Sequence, residues 1–134
     1  TEKSLACKEN NIVVSCVADG KGLEFLHPID LYTIFGNAMD NAIECVKNLQ
    51  KQEKRQIDVL IHRQHQFLIV QIMNPVEEEL EFEDNLPVTT KHDKAYHGYG
   101  LRSIKNSVKK YNGVFQVKIK DGCFCLKILF PIKE

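Results

Sequence analysis

The sequence predicts an α/β (α+β) two-layer sandwich, in which helices cover one face of a mixed, mostly antiparallel sheet. Two long segments repeat their apolar residues at helical spacing, and five shorter segments are rich in β-branched and other apolar residues. These segments follow one another in the order β, α, β, β, long loop, α, β, β. Two helices of this length are enough to cover one side of such a sheet. We expect residues 1–134 to form a single domain.

The composition is typical of a soluble globular domain, with 43% apolar and 27% charged residues. Eighteen basic residues balance eighteen acidic ones, so nothing indicates a polyanion-binding surface and nucleic acid is not an expected partner. No apolar run reaches the roughly 18 residues of a membrane span, and no signal peptide opens the chain. The five cysteines show no Cys-x-x-Cys spacing. We interpret them as reduced thiols of a cytosolic domain, with Cys45, Cys123 and Cys125 in the core.

The first half of the chain predicts one strand, one helix and a strand pair. Residues 12–17 form a β-branched run, and glycine-containing turns follow at residues 19–22. Asp30 is a candidate N-cap for a helix over residues 31–49. The apolar positions of this helix define one buried stripe: Leu31, Ile34, Phe35, Ala38, Met39, Ala42, Ile43, Val46 and Leu49. Residues 56–63 and 66–73 then form an antiparallel pair of apolar strands.

The second half begins with a segment that has no regular period. Residues 74–96 hold two prolines and an acidic cluster, and a loop of this length in a compact domain is usually functional or disordered. The apolar residues of a second helix follow at helical spacing: Leu101, Ile104, Val108 and Tyr111. Asn-Gly at residues 112–113 ends this helix, and Asp-Gly at residues 121–122 joins two alternating strands in a hairpin.

The first candidate site lies on the first helix, where residues 37–44 read Asn-Ala-Met-Asp-Asn-Ala-Ile-Glu. Asn37, Asn41, Glu44 and Asn48 follow steps of four, three and four, so they share a stripe beside the apolar face, with Asp40 next to it. The amide oxygen of Asn41 suits Mg²⁺, because this ion takes hard oxygen ligands and shares itself with phosphate oxygens. The alternative is an exposed polar flank with capping and i,i+4 hydrogen bonds.

The second candidate site is His-Gly-Tyr-Gly-Leu at residues 97–101, which we expect to open the second helix. Glycine lets the backbone approach a ligand closely. The first N–H groups of a helix lack intrahelical partners and carry the positive end of its dipole, so they can bind a di- or triphosphate. Lys91 and Arg102 would add charge-assisted contacts. The alternative is a flexible hinge at the end of the loop, since a lone Gly-x-Gly is a weak signal. The segment fits neither a Walker loop nor a dinucleotide fingerprint.

In this order and with this separation, the two segments resemble the ATPase superfamily of gyrases, chaperones, histidine kinases and mismatch-repair proteins. The kinase branch is the most similar: residues 37–44 resemble its N-box, and residues 97–101 resemble its second glycine box. Thr-Thr-Lys at residues 89–91 and Lys-Tyr-Asn-Gly at residues 110–113 resemble the peptide-pheromone (quorum-sensing) receptor kinases of Gram-positive bacteria. The resemblance extends over about residues 10–132 and implies the Bergerat-type ATP-binding fold.

The resemblance also implies roles in binding ATP and Mg²⁺. Asn41 would be the metal ligand, Asn74 would stand where most relatives place the Asp that reads the adenine amino group, and about residues 75–97 would form the lid. The implied nucleotide-binding residues are Asn37, Asp40, Asn41, Glu44, Asn74, Thr90, Lys91, His97, Gly98, Gly100 and Leu101. The usual Asp-x-Gly-x-Gly is replaced by Asn-Pro-Val-Glu-Glu at residues 74–78, so we expect weak nucleotide affinity.

Asn37 separates the branches of this superfamily on physical grounds. The ATP-hydrolysing relatives carry a Glu at this position, one turn before the metal Asn, where it polarises the attacking water. Asn cannot act as a base at neutral pH, so the γ-phosphate is better transferred to a protein acceptor. The histidines are read as structural or lid residues: His27, His62, His65, His92 and His97. The phosphoacceptor and sensor domains are therefore expected outside this chain.

The leading hypothesis is the catalytic ATP-binding domain of a two-component sensor histidine kinase. It would be a cytoplasmic domain of a membrane-bound receptor, without membrane insertion of its own. Its partners would be ATP, its own or a partner's phosphoacceptor helices, and a downstream response regulator. The alternative is a degenerate, non-catalytic nucleotide-binding or protein-docking module, which the altered adenine motif favours. A freestanding kinase of the anti-sigma type, which phosphorylates Ser, ranks last because it usually keeps a carboxylate at the position of Asn37.

Overall fold

The computed structural model describes residues 2–18, 20–47, 49–76, 81–83, 86–88 and 94–132. The described helices are α1 (Glu2–Glu9), α2 (Pro28–Val46) and α3 (Lys94–Lys109), with 3₁₀ turns at Gly20–Leu23 and Gln52–Lys54. The described strands are β1 (Val13–Ala18), β2 (Gln56–Gln64), β3 (Phe67–Pro75), β4 (Glu81–Glu83), β5 (Leu86–Val88), β6 (Val114–Lys120) and β7 (Cys123–Pro131). The two helices that the sequence predicts correspond to α2 and α3.

One mixed sheet contains five of these strands in the order β1-β2-β3-β7-β6. β1 runs parallel to β2, whereas the other neighbouring pairs are antiparallel. Because parallel neighbours need a crossover connection, α2 lies between β1 and β2 in the chain. β4 and β5 form a separate antiparallel pair. α2 and α3 pack on one face of the five-stranded sheet, so the predicted two-layer α/β sandwich is confirmed.

The core lies between this sheet face and the two helices. Alternate residues of β2, β3 and β7 point toward the helices and are buried, as the period of two in a strand requires. On the helix side, Ile34 and Ala38 of α2 meet Ile104 and Val108 of α3 in the same buried cluster. The apolar stripe that the sequence predicts along residues 31–49 therefore faces the core over most of its length.

The starts of both predicted helices differ from the sequence expectation. α2 begins at Pro28, where the fixed φ of proline suits the first turn, and its N-cap is His27. The His27 Nδ1 atom accepts a hydrogen bond from the Ile29 N–H at 3.1 Å. The assignment of Asp30 as N-cap is therefore wrong, because Asp30 lies inside the first turn and bonds to a different helix.

The turns that end α3 and join the last two strands agree with the sequence prediction. Asn112 takes a left-handed conformation with φ 58°, and the Gly113 N–H donates to the Val108 carbonyl at 3.1 Å, which closes the helix end. Asp121 and Gly122 both have positive φ, at 54° and 72°. Two consecutive positive φ values are typical of the tight β-hairpin turn.

The segment predicted as a long loop holds two short strands, β4 and β5, and the first residues of α3. α1 was not predicted either; among its described side chains, Cys7 is the buried one. No helix among the described residues is both long enough and apolar enough to cross a membrane.

Candidate functional site

α2 and α3 lie side by side and run in opposite directions. Asp30, in the first turn of α2, bonds to Lys110 and Tyr111 just after the end of α3. Asn37, two turns further along α2, lies against Gly100 in the first half of α3. The partners on α3 therefore move backward as α2 moves forward. The next turn of α2, which carries Asn41, must lie closer to the beginning of α3.

The contact between Asn37 and Gly100 joins the two candidate sites of the sequence. A Cβ atom placed on Gly100 would lie 3.4 Å from the Oδ1 atom of Asn37. The Nδ2 group of Asn37 donates to the Thr33 carbonyl at 2.8 Å, which fixes the side chain so that its oxygen faces α3. Residues about sixty positions apart in the sequence thus meet directly.

Asn41 has a nearly buried side chain, with 7% of its surface exposed. Within the described part of the chain, its amide has no hydrogen-bond partner. Helix formation does not require an amide to be buried at this position, and a nearly buried polar group normally has a hydrogen-bond partner. The oxygen of Asn41 is therefore available to a ligand that approaches between α2 and α3.

Asn74 occupies the end of β3 and is 1% exposed. Its Nδ2 group donates to the Pro75 carbonyl at 3.0 Å, whereas its Oδ1 atom is buried and has no hydrogen-bond partner among the described residues. An unsatisfied buried acceptor is rare in a folded protein. A ligand with a hydrogen-bond donor, such as an aromatic amino group, would satisfy it.

Cys45 links Asn74 to α2. The amide of Asn74 lies close enough to the Cys45 thiol to lower its pKa, but burial has the larger effect and raises the pKa of that thiol to about 11. Asn37, Asn41 and Cys45 are spaced four residues apart on α2, so they form one stripe along its surface. Gly100 contacts one end of this stripe and Asn74 contacts the other, so Asn41 lies between them. The sequence predicts Cys45 only as a core residue, because no sequence signal indicates its contact with Asn74.

The glycine segment does not begin a helix as predicted. α3 starts at Lys94, so the N–H groups of Gly98, Gly100 and Leu101 lie inside the helix, where they bond to carbonyls four residues earlier. Residues 94–97 supply the unpaired N–H groups instead. The prediction is wrong because the residues before Gly98 tolerate a helix, and glycine permits a helical conformation as readily as a turn.

The remaining predicted site residues differ in whether their side chains are accessible to a ligand. Leu101 is buried in the core, so its side chain is not available to a ligand. Glu44 forms an ion pair with Lys47 at 2.7 Å, and Asp40 is half-buried beside the stripe. Thr90 and Lys91 lie outside the described residues, and the side chains of His97 and Gly98 are not among those described.

The residues present fit a nucleotide with a divalent metal. The orphaned Oδ1 atom of Asn74 matches a donor on a base, and the space beside Gly100 is one that a Cβ atom would reduce. Within the described residues, no group of three His, Cys, Asp or Glu side chains could hold a metal. Asn41 offers the hard amide oxygen that Mg²⁺ accepts.

Several solved structures share this fold. The histidine kinase AdeS of Acinetobacter baumannii is 14% identical, with a TM-score of 0.69, over 98% of this chain and 59% of that chain. The catalytic domain of histidine kinase ThkA is 17% identical, with a TM-score of 0.69, over 96% of this chain and 84% of that one. The histidine kinase domain of the blue-light activated kinase EL346 of Erythrobacter litoralis is 14% identical, with a TM-score of 0.62, over 97% of this chain and 57% of that one.

At these identities the structures demonstrate a shared fold, and the chain spans less than two thirds of AdeS and of the EL346 kinase domain. No curated protein matches the sequence. A family model described as the GHKL domain matches residues 26–131, which include α2, α3, β7 and every candidate site residue. The chain therefore belongs to the GHKL domain family.

Proposed function

We propose that this chain is the catalytic ATP-binding domain of a two-component sensor histidine kinase. It would bind Mg-ATP and transfer the γ-phosphate to a histidine on a separate dimerisation domain. The observation that carries the proposal is the stripe on α2, where Asn41 lies between the Asn37–Gly100 contact and the Cys45–Asn74 contact. The likeness to solved histidine kinase domains supports it at the level of the fold.

Each end of the stripe would hold a different part of the nucleotide. The buried Oδ1 atom of Asn74 would accept a hydrogen bond from the adenine amino group, because its Nδ2 group is already bonded to Pro75. The phosphates would lie beside Asn41, near the unpaired N–H groups at the start of α3. Asn41 would hold Mg²⁺ through its amide oxygen, and bound Mg²⁺ neutralises developing charge on the phosphates.

Asn37 favours phosphate transfer over ATP hydrolysis. Its Nδ2 group donates to the Thr33 carbonyl, and an amide oxygen is too weak a base to take a proton from water. Without a group that activates water, the bound γ-phosphate would survive until an acceptor imidazole reaches it. Excluding hydrolysis in this way is useful to a kinase and of no use to an ATPase.

The biological setting is proposed from the sequence motifs alone. Thr-Thr-Lys at residues 89–91 and Lys-Tyr-Asn-Gly at residues 110–113 resemble Gram-positive peptide-pheromone receptor kinases. The domain would then act at the cytoplasmic side of a membrane-bound receptor in quorum sensing. Its partners would be phosphoacceptor helices and a response regulator.

Calorimetric titration of the domain with ATP tests the proposal. We expect binding with Mg²⁺ present and much weaker binding with EDTA. Asn41→Ala should remove the magnesium-dependent part while the circular dichroism spectrum stays unchanged. Asn106→Ala is the matched control, because Asn106 is an exposed amide on α3. Equal affinity of Asn41→Ala and wild-type protein for Mg-ATP would contradict the metal role.

A non-catalytic docking module is the second candidate function. It is favoured by the helical state of Gly98 and Gly100, because their N–H groups are then bonded within α3 and not free for phosphate. Thermal melting separates the two candidates, since a ligand that binds only the native state raises the midpoint. An unchanged midpoint at millimolar Mg-ATP would support the docking module.

A further inference from the structure

A cluster of polar residues joins α2 and α3 at the end away from Asn41. The Tyr111 hydroxyl donates to Oδ2 of Asp30 at 2.6 Å, and the Lys110 ammonium group donates to Oδ1 at 3.0 Å. The Asp30 side chain is only 11% exposed, whereas that of Lys110 is 64% exposed. Both carboxylate oxygens are therefore engaged by residues that immediately follow α3.

The Tyr111 side chain is fixed by further contacts. Its oxygen accepts a hydrogen bond from the His27 N–H at 2.9 Å, so the segment before α2 is tied to the same hydroxyl. Its ring packs edge-on against Phe25, with centroids 5.8 Å apart, and against Phe130 of β7, with centroids 6.1 Å apart. Because the ring is held on two sides, the position of the hydroxyl is determined by the core.

The cluster and the Asn37–Gly100 contact lie on the same pair of antiparallel helices. Asp30 precedes Asn37 by two helical turns, which is about 10 Å along α2. A sliding of α3 against α2 would change both contacts together. Such a movement would shift Gly100 along Asn37 from its present alignment, in which a Cβ atom on Gly100 would lie 3.4 Å from the Asn37 Oδ1 atom, an ordinary van der Waals distance.

We propose that Tyr111 and Lys110 are positioning residues, which hold α3 in the register along α2 that nucleotide binding requires. They act through Asp30 and do not touch the ligand. This inference rests on the proposed function, since it assigns to these residues the alignment of the two halves of the nucleotide site. It also gives a physical reason for the Lys-Tyr pair at residues 110–111.

Tyr111→Phe is the first test, because it removes one hydroxyl and keeps the ring contacts with Phe25 and Phe130. We expect the Kd for Mg-ATP to rise by at least roughly threefold, measured by calorimetry at a temperature where the variant is fully folded. Val117→Ala in β6 is the control: Val117 packs against the same core from the edge strand of the sheet, opposite Leu126, and its truncation should leave Kd unchanged. A residue that only stabilised the fold would lower the melting midpoint without changing the Kd of the folded protein.

Lys110 supplies a second variant that keeps the fold, because its side chain is mostly exposed. Lys110→Ala should raise Kd in the same direction, and Lys110→Arg should restore it by keeping the charged donor. If Tyr111→Phe and Lys110→Ala both bind Mg-ATP as tightly as wild-type protein, the proposal is overturned.

A nucleotide-free measurement separates this inference from the proposed function. Tyr111→Phe should shift the amide NMR signals of Asn37 and Gly100, and Val117→Ala should not. If wild-type protein bound no nucleotide, the proposed function would fail, and these shifts would still decide whether Tyr111 sets the helix register. Unchanged shifts at both residues would then overturn the positioning role.

Discussion

The side-chain oxygen of Asn37 lies against Gly100, at 3.4 Å from the place where a Cβ atom would stand. This contact crosses from α2 to α3. It brings together residues 37–44 and 97–101, the two candidate segments that lie far apart in the sequence. Gly100 therefore presents only its backbone to Asn37 where the two helices approach beside Asn41.

Gly100→Ala should separate stability from binding. Replacing glycine by alanine inside a helix stabilises it by about 0.5–1 kcal/mol, but the added methyl group would narrow the space beside Asn37. We expect the free energy of unfolding to stay equal or rise, while the affinity for Mg-ATP falls. Urea denaturation and calorimetry measure the two quantities.

Gly36→Ala is the matched control for that variant. Gly36 is also inside a helix, and the nearest atom to an added Cβ would be Cε1 of Tyr32, at 4.0 Å. This control should gain stability and keep its nucleotide affinity. An unchanged affinity in Gly100→Ala would show that the space beside Asn37 is not used by the ligand.

Asn74→Asp should affect the empty and the nucleotide-bound protein in opposite ways. A carboxylate at this buried position lacks a partner without ligand, so we expect the free energy of unfolding to fall by about 1–3 kcal/mol. A carboxylate accepts more strongly than an amide, so the affinity for Mg-ATP should rise. Weaker Mg-ATP binding by N74D than by wild-type protein would refute the assignment of Asn74 to the adenine amino group.

The Asp30 cluster predicts a dependence of stability on pH. The hydrogen bonds from Tyr111 and Lys110 lower the pKa of Asp30 in the folded protein. A lowered pKa stabilises the fold above the unfolded value of about 4, and this stabilisation disappears as the pH falls through the folded pKa. The difference in unfolding free energy between wild-type protein and Asp30→Asn should therefore be largest near neutral pH and shrink below about pH 4.

The hydrogen bond of the Tyr111 hydroxyl predicts a loss of folding stability at high pH. Its hydrogen bond to Asp30 raises the pKa of the Tyr111 hydroxyl, so its contribution is complete below the unfolded value of about 10 and is lost as the pH rises further. Urea denaturation of wild-type protein and Tyr111→Phe across this range measures it. A difference between the two proteins that persists far above pH 10 would contradict the prediction.

The cysteines should react with iodoacetamide at very different rates. The thiolate is the reactive form, and burial raises the pKa of Cys45 to about 11. Cys16 is exposed on β1, whereas Cys7 is buried. Peptide mass spectrometry of native protein near neutral pH should find Cys16 alkylated well before Cys45 and Cys7. Equal rates in native and urea-unfolded protein would contradict this order.

Most of the fold could be predicted because its elements carry strong local patterns. The alternation in β6 and β7 and the Asp-Gly turn between them are sufficient for a hairpin, and the apolar stripe of α2 is continuous. The parallel pairing of β1 with β2 has no local signal, since it depends on the path of α2 across the sheet. The sequence does not predict α1, because its residues show no apolar stripe; among its described side chains, Cys7 is the buried one.

The candidate site could be predicted in part. The spacing of Asn37 and Asn41 indicates a shared helix face, but only the folded chain shows that Gly100 contacts it. The start of α3 was misplaced because glycine fits both a turn and a helix. The contact of Cys45 with Asn74 joins α2 to β3, and no sequence pattern encodes a pairing between elements of different period.

Among the described strands, β1 has a neighbour on one side only, β2, and all six residues of β1 are exposed. Elements with so few buried contacts open at a lower free energy than the rest of a domain. We therefore expect β1 to be the first strand of the sheet that unfolds when the domain is pulled or heated. Asn37, Gly100 and Asn74 belong to α2, α3 and β3. The candidate site would therefore stay folded when β1 separates from the sheet.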